Sequence, residues 1–105
     1  MKQGEIWWGV LPGAAGRRPL VILTRTSALA QLTNVTVGPL TRTIRQVPSE
    51  VILSPADGVP SVCAVSLDNI VTVRKAAMDQ RITSLSAERM EEVFEAIHFV
   101  FNMPR

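Results

Sequence analysis

The stretch GEIWWGVLPGAAGRRPLVILTR, residues 4–25, decides the fold class. Residues 5–10 (EIWWGV) are rich in aromatic and β-branched types, which predicts a β-strand. Residues 19–25 (PLVILTR) form a short apolar run typical of a central strand, in which Pro19 is allowed because it stands at the beginning. The small residues PGAAG between the two runs predict a loop. The chain therefore begins with two strands joined by a short connection.

The β pattern continues along the chain until a helix closes it. Further short strands are predicted at residues 34–41, 50–53, 63–67 and 70–74, and residues 27–32 favour one helical turn. After Lys75 the apolar residues change to helical spacing, with Ser86 as the predicted N-cap. This order predicts a small, strongly bent barrel or an open β-roll with one terminal helix. The apolar face of that helix comprises Met90, Val93, Phe94, Ile97, Val100 and Phe101.

Two residues of the terminal helix lie off the middle of this face. Phe99 points the opposite way, which indicates either a contact with another subunit or a frayed last turn. His98, the only histidine, lies at the edge of the face and is expected to be a packing or surface residue. Acid–base chemistry that needs two histidines within one subunit is therefore excluded.

Length and composition predict one globular domain spanning residues 1–105. Hydrophobic residues make up 47% of the chain and charged residues 19%, which is typical of a packed globule. The single cysteine, Cys63, excludes an intramolecular disulfide and lies in an apolar run, where a buried structural thiol is expected. No secretory h-region follows Lys2, and no apolar run reaches the length of a membrane span. We therefore expect a cytoplasmic protein without a membrane segment.

Charge is distributed unevenly, although the formal net charge is only +2. No Asp or Glu occurs between Glu5 and Glu50, whereas the C-terminal segment is rich in glutamate. Guanidinium groups bind phosphate oxygens through two hydrogen bonds, so the first half of the chain predicts an anionic partner. Scattered, solvated surface arginines are an equally favoured explanation. The arginines of this segment are Arg17, Arg18, Arg25, Arg42 and Arg45.

The chain lacks the motifs of several reaction classes. It has no phosphate-binding loop with its lysine, no pair of histidines and no cysteine cluster, so we expect neither a metal nor a cofactor. The Arg, Thr, Ser and Asp side chains that remain suit phosphoryl transfer in which the substrate supplies the nucleophile. RNA does so, because its 2′-hydroxyl can attack the neighbouring phosphate. Trp7 and Trp8 alternate faces on the first strand, so one can belong to the core and the other can stack on a base, although a core position is the favoured interpretation for both.

Five segments in a fixed order resemble the MazF/PemK/Kid toxins, the small endoribonucleases of bacterial toxin–antitoxin pairs. They are GEIWW, RRPLVIL, VGPLTRTIR, EVIL and LDNIVTV, the last of which precedes the terminal helix. The resemblance covers nearly the whole chain. It implies an SH3-like β-barrel, a homodimer and metal-independent cleavage of single-stranded RNA to a 2′,3′-cyclic phosphate and a 5′-hydroxyl. It also implies a cognate antitoxin that binds through an acidic, partly disordered tail.

The resemblance also implies roles for particular residues. Arg18, which precedes the family's proline, is expected to bind the scissile phosphate and stabilise the transition state. Thr41 is expected to hydrogen-bond the same phosphate. Asp68 matches the proposed general base of some members, and an Asx-turn is the structural alternative for it. The remaining candidates for binding RNA are Trp8, Arg17, Arg25, Arg42 and Arg45.

Two departures from the family pattern leave alternatives open. The loop PGAAG is shorter than in many relatives, and Ser66 stands where some carry an arginine. The alternatives are a non-catalytic toxin of the same fold that binds a protein target such as DNA gyrase, and an inactive relative that still binds RNA or antitoxin.

Overall fold

The fold is an antiparallel sheet covered by one long helix, as seen in a computed structural model that describes residues 1–13 and 16–104. The two central alanines of the predicted PGAAG loop lie outside the described residues. The strands are β1 (Glu5–Gly9), β2 (Arg18–Ile22), β3 (Asn34–Thr41), β4 (Glu50–Leu53), β5 (Cys63–Ser66), β6 (Val71–Arg74) and β7 (Met78–Ser84). The α-helices are α1 (Thr26–Leu29) and α2 (Ala87–Phe101). The predicted class, mainly β with a C-terminal helix, is confirmed.

The sheet has the strand order β4-β5-β3-β2-β1-β7, and β6 pairs with β3 outside this path. Besides β2, strand β3 therefore pairs with two different strands along its length, β6 and β5. Its first residues, Asn34 to Val37, pair with β6, and its last two, Leu40 and Thr41, pair with β5. Within the described part of the chain β4 and β7 do not pair with each other, so the sheet stays open. "SH3-like barrel" describes this bent sheet only loosely.

Two apolar clusters fill the two sides of the bent sheet. Alternation along β2 sends Val21 into one cluster and its neighbours Leu20 and Ile22 into the other, and all three are fully buried. The first cluster lies under α2 and includes Val93, which is also fully buried. The second includes Val37 and the partly buried Trp7. Because β2 packs into both clusters, the position of Arg18, its first residue, is fixed by the core.

Helix α2 begins as predicted, but its apolar face is narrower than expected. The hydroxyl of Ser86 accepts a hydrogen bond from the backbone N–H of Arg89 at 3.1 Å, which confirms the N-cap. Phe94 and Phe101 belong to the predicted apolar face, yet they are 39% and 59% exposed. Ala96 takes their place against the sheet, since the smaller side chain allows the helix to lie close.

Strand β7 was not predicted from the sequence. Its sequence MDQRITS has only two apolar residues, Met78 and Ile82, and the intervening residues are exposed. An edge strand with so many exposed polar residues has little hydrophobic periodicity. Its extended conformation depends on pairing with β1, which local sequence does not show.

Candidate active site

Arg18 and Thr41 meet at the ends of two neighbouring strands. Arg18 is the first residue of β2 and Thr41 the last residue of β3. These strands are antiparallel, and their register pairs Leu20 with Pro39. Two residues before Leu20 on β2 is Arg18, and two residues after Pro39 on β3 is Thr41, so the same register places them opposite each other. Both side chains are half-buried, and both line the same two surface depressions. The two residues with the firmest expected roles are therefore neighbours.

The first depression, which we call the threonine depression, has a volume of about 570 Å³. Apolar side chains, among them Leu11 and Val71, form part of its wall. The polar groups on its surface suit the oxygens of a phosphate or a ribose. These polar residues are Arg18, Thr41, Thr43, Arg45, Ser66 and Asn69.

The second depression, which we call the tryptophan depression, has a volume of about 360 Å³. It combines an aromatic face with cationic and hydroxyl groups, the combination used to hold a single-stranded nucleotide. Cys63 also lines it, but burial raises the pKa of this thiol, which keeps the sulfur protonated and inert. The aromatic, cationic and hydroxyl groups of its lining include Trp8, Arg17, Arg18, Thr41 and Arg42.

The five arginines of the first half differ in how they are paired. Arg17 forms an ion pair with Asp79, and Arg45 forms one with Glu50. Arg18 and Arg42 form no ion pair within the described part of the chain. Because these two guanidinium groups have no carboxylate partner there, they favour an anionic ligand at the site.

The predicted residues do not all come together. Arg25 is exposed, stands immediately before α1 and lines neither depression. Asp68 also lines neither depression, and its carboxylate accepts a hydrogen bond from the hydroxyl of the buried Ser49. Its neighbour Asn69 does line the threonine depression and donates a hydrogen bond to the hydroxyl of Ser66 at 2.8 Å.

Thr43 and Asn69 are two of the site residues that sequence reasoning missed, and Ser66 is a third. Thr43 follows Thr41 by two positions, and its backbone N–H donates to the Thr41 hydroxyl at 3.1 Å. The second is Asn69, whose position next to the candidate base was the available signal. The two tryptophans differ in position, because Trp7 packs on the second apolar cluster whereas Trp8 lines the tryptophan depression. The indole N–H of Trp7 donates to the carboxylate of Glu5 at 3.0 Å, which fixes this ring.

Two absences concern the described residues, 1–13 and 16–104. They contain no group of three or more His, Cys, Asp or Glu side chains arranged to hold a metal ion. None of their helices combines the length and the hydropathy needed to cross a membrane.

The chain matches a known family over nearly its whole length. The family model of PemK-like, MazF-like toxins of type II toxin–antitoxin systems matches residues 2–101. The chain belongs to this family. Among its curated relatives is a probable endoribonuclease MazF5 of Mycobacterium tuberculosis, 36% identical over 98% of this chain and 94% of the relative. Another is a probable endoribonuclease MazF2 of the same species, 40% identical over 92% of this chain and 94% of the relative.

Solved structures of MazF-like toxins share the fold. The Mycobacterium tuberculosis toxin MazF-mt6 has a TM-score of 0.89 and 33% sequence identity, covering 96% of this chain and 99% of the toxin. A mycobacterial endoribonuclease in complex with its cognate antitoxin has a TM-score of 0.90 over 100% of this chain and 98% of that one. Its sequence identity is 22%, so this second likeness concerns the MazF-like fold alone.

Proposed function

We propose that this MazF-like toxin is an endoribonuclease that cleaves single-stranded RNA, with residues 1–105 acting as one toxin domain. The observation that carries the proposal is the pairing of Arg18 with Thr41 at the junction of the two depressions. Arg18 has no carboxylate partner among the described residues, so its guanidinium is available to a phosphate. The curated relatives, which are named endoribonucleases, support the same function.

The proposed reaction is an internal transfer of the phosphoryl group. The 2′-oxygen of a ribose attacks the adjacent phosphorus and the bond to the 5′-oxygen of the next nucleotide breaks. The proton lost by the 2′-hydroxyl is balanced by the one that the 5′-oxygen gains, so a 2′,3′-cyclic phosphate and a 5′-hydroxyl form. Arg18 binds the non-bridging oxygens and stabilises the negative charge that increases in the transition state. The Thr41 hydroxyl donates a hydrogen bond to the same phosphate. All bond changes lie within the substrate, so positioning and charge stabilisation are the protein's main contributions.

The neutral polar groups of the threonine depression orient the substrate in this proposal. Thr43, Ser66 and Asn69 can donate to ribose and phosphate oxygens, but their side chains are poor proton acceptors at neutral pH. Asp68 is given a structural role in this proposal, because its carboxylate accepts a hydrogen bond from the Ser49 hydroxyl and the residue lies outside the lining of both depressions.

The RNA strand is proposed to run through both depressions. Arg45 lines the threonine depression and Arg42 the tryptophan depression, and from these positions they can contact phosphates that flank the one bound by Arg18. Trp8 supplies an aromatic face for a base in the tryptophan depression. Arg25 is left out of this surface because it lines neither depression.

The partners follow from the same surface. We propose a cognate antitoxin whose acidic segment covers the arginines, and a solved mycobacterial relative is in complex with its own antitoxin. A homodimer is proposed because Phe94, Phe99 and Phe101 leave aromatic surface exposed on α2.

A cytoplasmic location is proposed because cellular RNA is found there. The gyrase-binding alternative gains no support from relatives that are named endoribonucleases.

Incubation of the purified protein with RNA in the presence of a chelator tests the proposal. We expect cleavage, 2′,3′-cyclic phosphate and 5′-hydroxyl ends, and no loss of rate when the chelator is added. A folded protein that leaves RNA intact under these conditions, with and without divalent cations, would overturn it. Sequencing of the RNA ends then gives the cleavage motif.

A further inference from the structure

A β-bulge in strand β7 lies beside the tryptophan depression. In the pairing of β1 with β7, Trp8 stands opposite Gln80, but the next residue, Gly9, stands opposite Met78. Asp79 is therefore an extra residue without a partner in β1. A bulge of this kind changes the direction of the side chain that it carries, and bulges are frequent next to active sites.

The bulged residue holds an arginine of the candidate site. The carboxylate Oδ1 of Asp79 lies 2.7 Å from Nη2 of Arg17, which is 62 positions away in the sequence. The guanidinium carbon of Arg17 lies 5.3 Å from the centroid of the Trp8 ring, a cation–π contact. The Arg17 guanidinium therefore lies over the face of the Trp8 ring, and its Nη2 is bound by the Asp79 carboxylate.

We propose that Asp79 regulates access to the RNA site by holding Arg17 over the face of Trp8. A substrate phosphate competes with the Asp79 carboxylate for Arg17, and the displaced guanidinium uncovers the ring for a base. This inference rests on the proposed RNA-cleaving function. Asp79 touches neither substrate nor reacting atoms, so it is a positioning residue that acts through Arg17.

The exposure of the pair makes this competition feasible. The side chains of Arg17 and Asp79 are 47% and 54% exposed. Solvent-exposed ion pairs are weak, so a phosphate can replace the carboxylate without a large penalty. The expected effect of removing the carboxylate is a gain in RNA affinity of about three- to fivefold at low salt, because exposed pairs contribute about this much.

A double-mutant cycle tests the proposal. The probe is a mixed-sequence single-stranded RNA with 2′-fluoro groups in place of its 2′-hydroxyls, which cannot cleave itself, and affinity is measured by fluorescence anisotropy. Asp79→Asn should tighten binding in the protein with Arg17 and have little effect in the Arg17→Gln background. An equal gain in both backgrounds would mean that Asp79 acts only as a repulsive charge and would overturn the proposal, as would a loss of affinity. Glu88→Gln removes a carboxylate from the exposed start of α2 and serves as the matched control.

A second measurement needs no RNA. Acrylamide should quench Trp8 fluorescence more strongly in Asp79→Asn than in the wild-type protein, with Trp8→Phe variants giving the contribution of Trp7. Unchanged quenching would show that Asp79 does not hold Arg17 over the ring. If the wild-type protein binds no RNA, the proposed function fails. If it binds RNA without the Arg17-dependent gain, only this inference fails.

Discussion

Asp57 and Arg89 join the long loop after β4 to the terminal helix. The Nε of Arg89 donates to Oδ1 of Asp57 at 3.0 Å, and its Nη1 donates to the carboxylate of Glu92 at 3.0 Å. Asp57 also accepts the backbone N–H of Ser54 at 3.0 Å, which closes a capping box on the short 3-10 helix Pro55–Asp57. The hydrogen bonds from Arg89 and Ser54 lower the pKa of Asp57 below its ordinary value of 3.8.

We predict that Asp57→Asn lowers the free energy of unfolding by about 1–2 kcal/mol at neutral pH, because charge-assisted hydrogen bonds are lost. The pKa of Asp57 is lower in the folded state, so its contribution is complete above 3.8 and is lost as pH falls through the lowered value. The difference between variant and wild type should therefore shrink in strong acid. Urea unfolding at pH 7 and at pH values below 3.8 measures it. Glu91→Gln, on the exposed side of the same helix, should change stability little.

Gly58, which ends this 3-10 helix, cannot be replaced without strain. Its φ is +95°, and a Cβ there would lie 2.4 Å from the hydroxyl oxygen of Thr83 and 2.8 Å from the Thr83 Cβ. We predict that Gly58→Ala costs about 2–4 kcal/mol, from left-handed backbone and from the clash. Gly13 has a φ of +73° and no described atom near its added Cβ, so Gly13→Ala should cost only about 1–2 kcal/mol. Equal losses in thermal denaturation would contradict the steric part of this account.

The sequence contained enough information for most strands but not for the edge strand. Strands β2 and β3 carry apolar and β-branched residues that must be buried, so local pattern and tertiary structure agree. Strand β7 has no such pattern, and its pairing with β1 is a property of the whole sheet. The exposed Phe94 and Phe101 show the same limit, because periodicity does not reveal how wide a strip of α2 the sheet covers.

The candidate site was predictable where a motif fixed it. Arg18 and Thr41 belong to recognisable segments, and the β2–β3 register brings them together. The carboxylate that pairs with Arg17 was not predictable, because Asp79 reaches it through a bulge in a strand that the sequence did not reveal. Local sequence showed no acid near Arg17, and tertiary structure supplied Asp79.

Thr41 can be tested by a pair of substitutions that separate its hydroxyl from its shape. Thr41→Val keeps the volume and removes the hydroxyl, so we predict a loss of cleavage rate of about 10- to 100-fold. Thr41→Val also removes the acceptor of the Thr43 N–H. The free energy of unfolding should therefore decrease by about 0.5–1.5 kcal/mol, the contribution of one neutral hydrogen bond. Thr41→Ser restores both contacts and should recover most of the rate. A fully active Thr41→Val protein in single-turnover assays would remove Thr41 from the mechanism.

Asp68 can be assigned by comparing amide and alanine substitutions. The amide oxygen introduced by Asp68→Asn can still accept the hydrogen bond from Ser49, but it cannot act as a base at neutral pH. We predict near-native stability and cleavage for Asp68→Asn, whereas Asp68→Ala should lose about 1–3 kcal/mol by leaving the buried Ser49 hydroxyl without this acceptor. Loss of cleavage in both variants, at native stability for the amide, would instead assign Asp68 as the general base.

Arg18 carries the central claim, and two substitutions distinguish its charge from its geometry. Arg18→Ala removes both, and we predict a decrease in cleavage rate of about 100- to 1000-fold. Arg18→Lys keeps the charge but loses the two-pronged donor, so an intermediate loss of about 10-fold is expected. Arg74→Ala is the matched control, because this exposed arginine at the end of β6 lines neither depression. Unfolding curves should be nearly unchanged, since Arg18 forms no ion pair among the described residues. A folded Arg18→Ala protein that cleaves RNA at the wild-type rate would exclude Arg18 from catalysis.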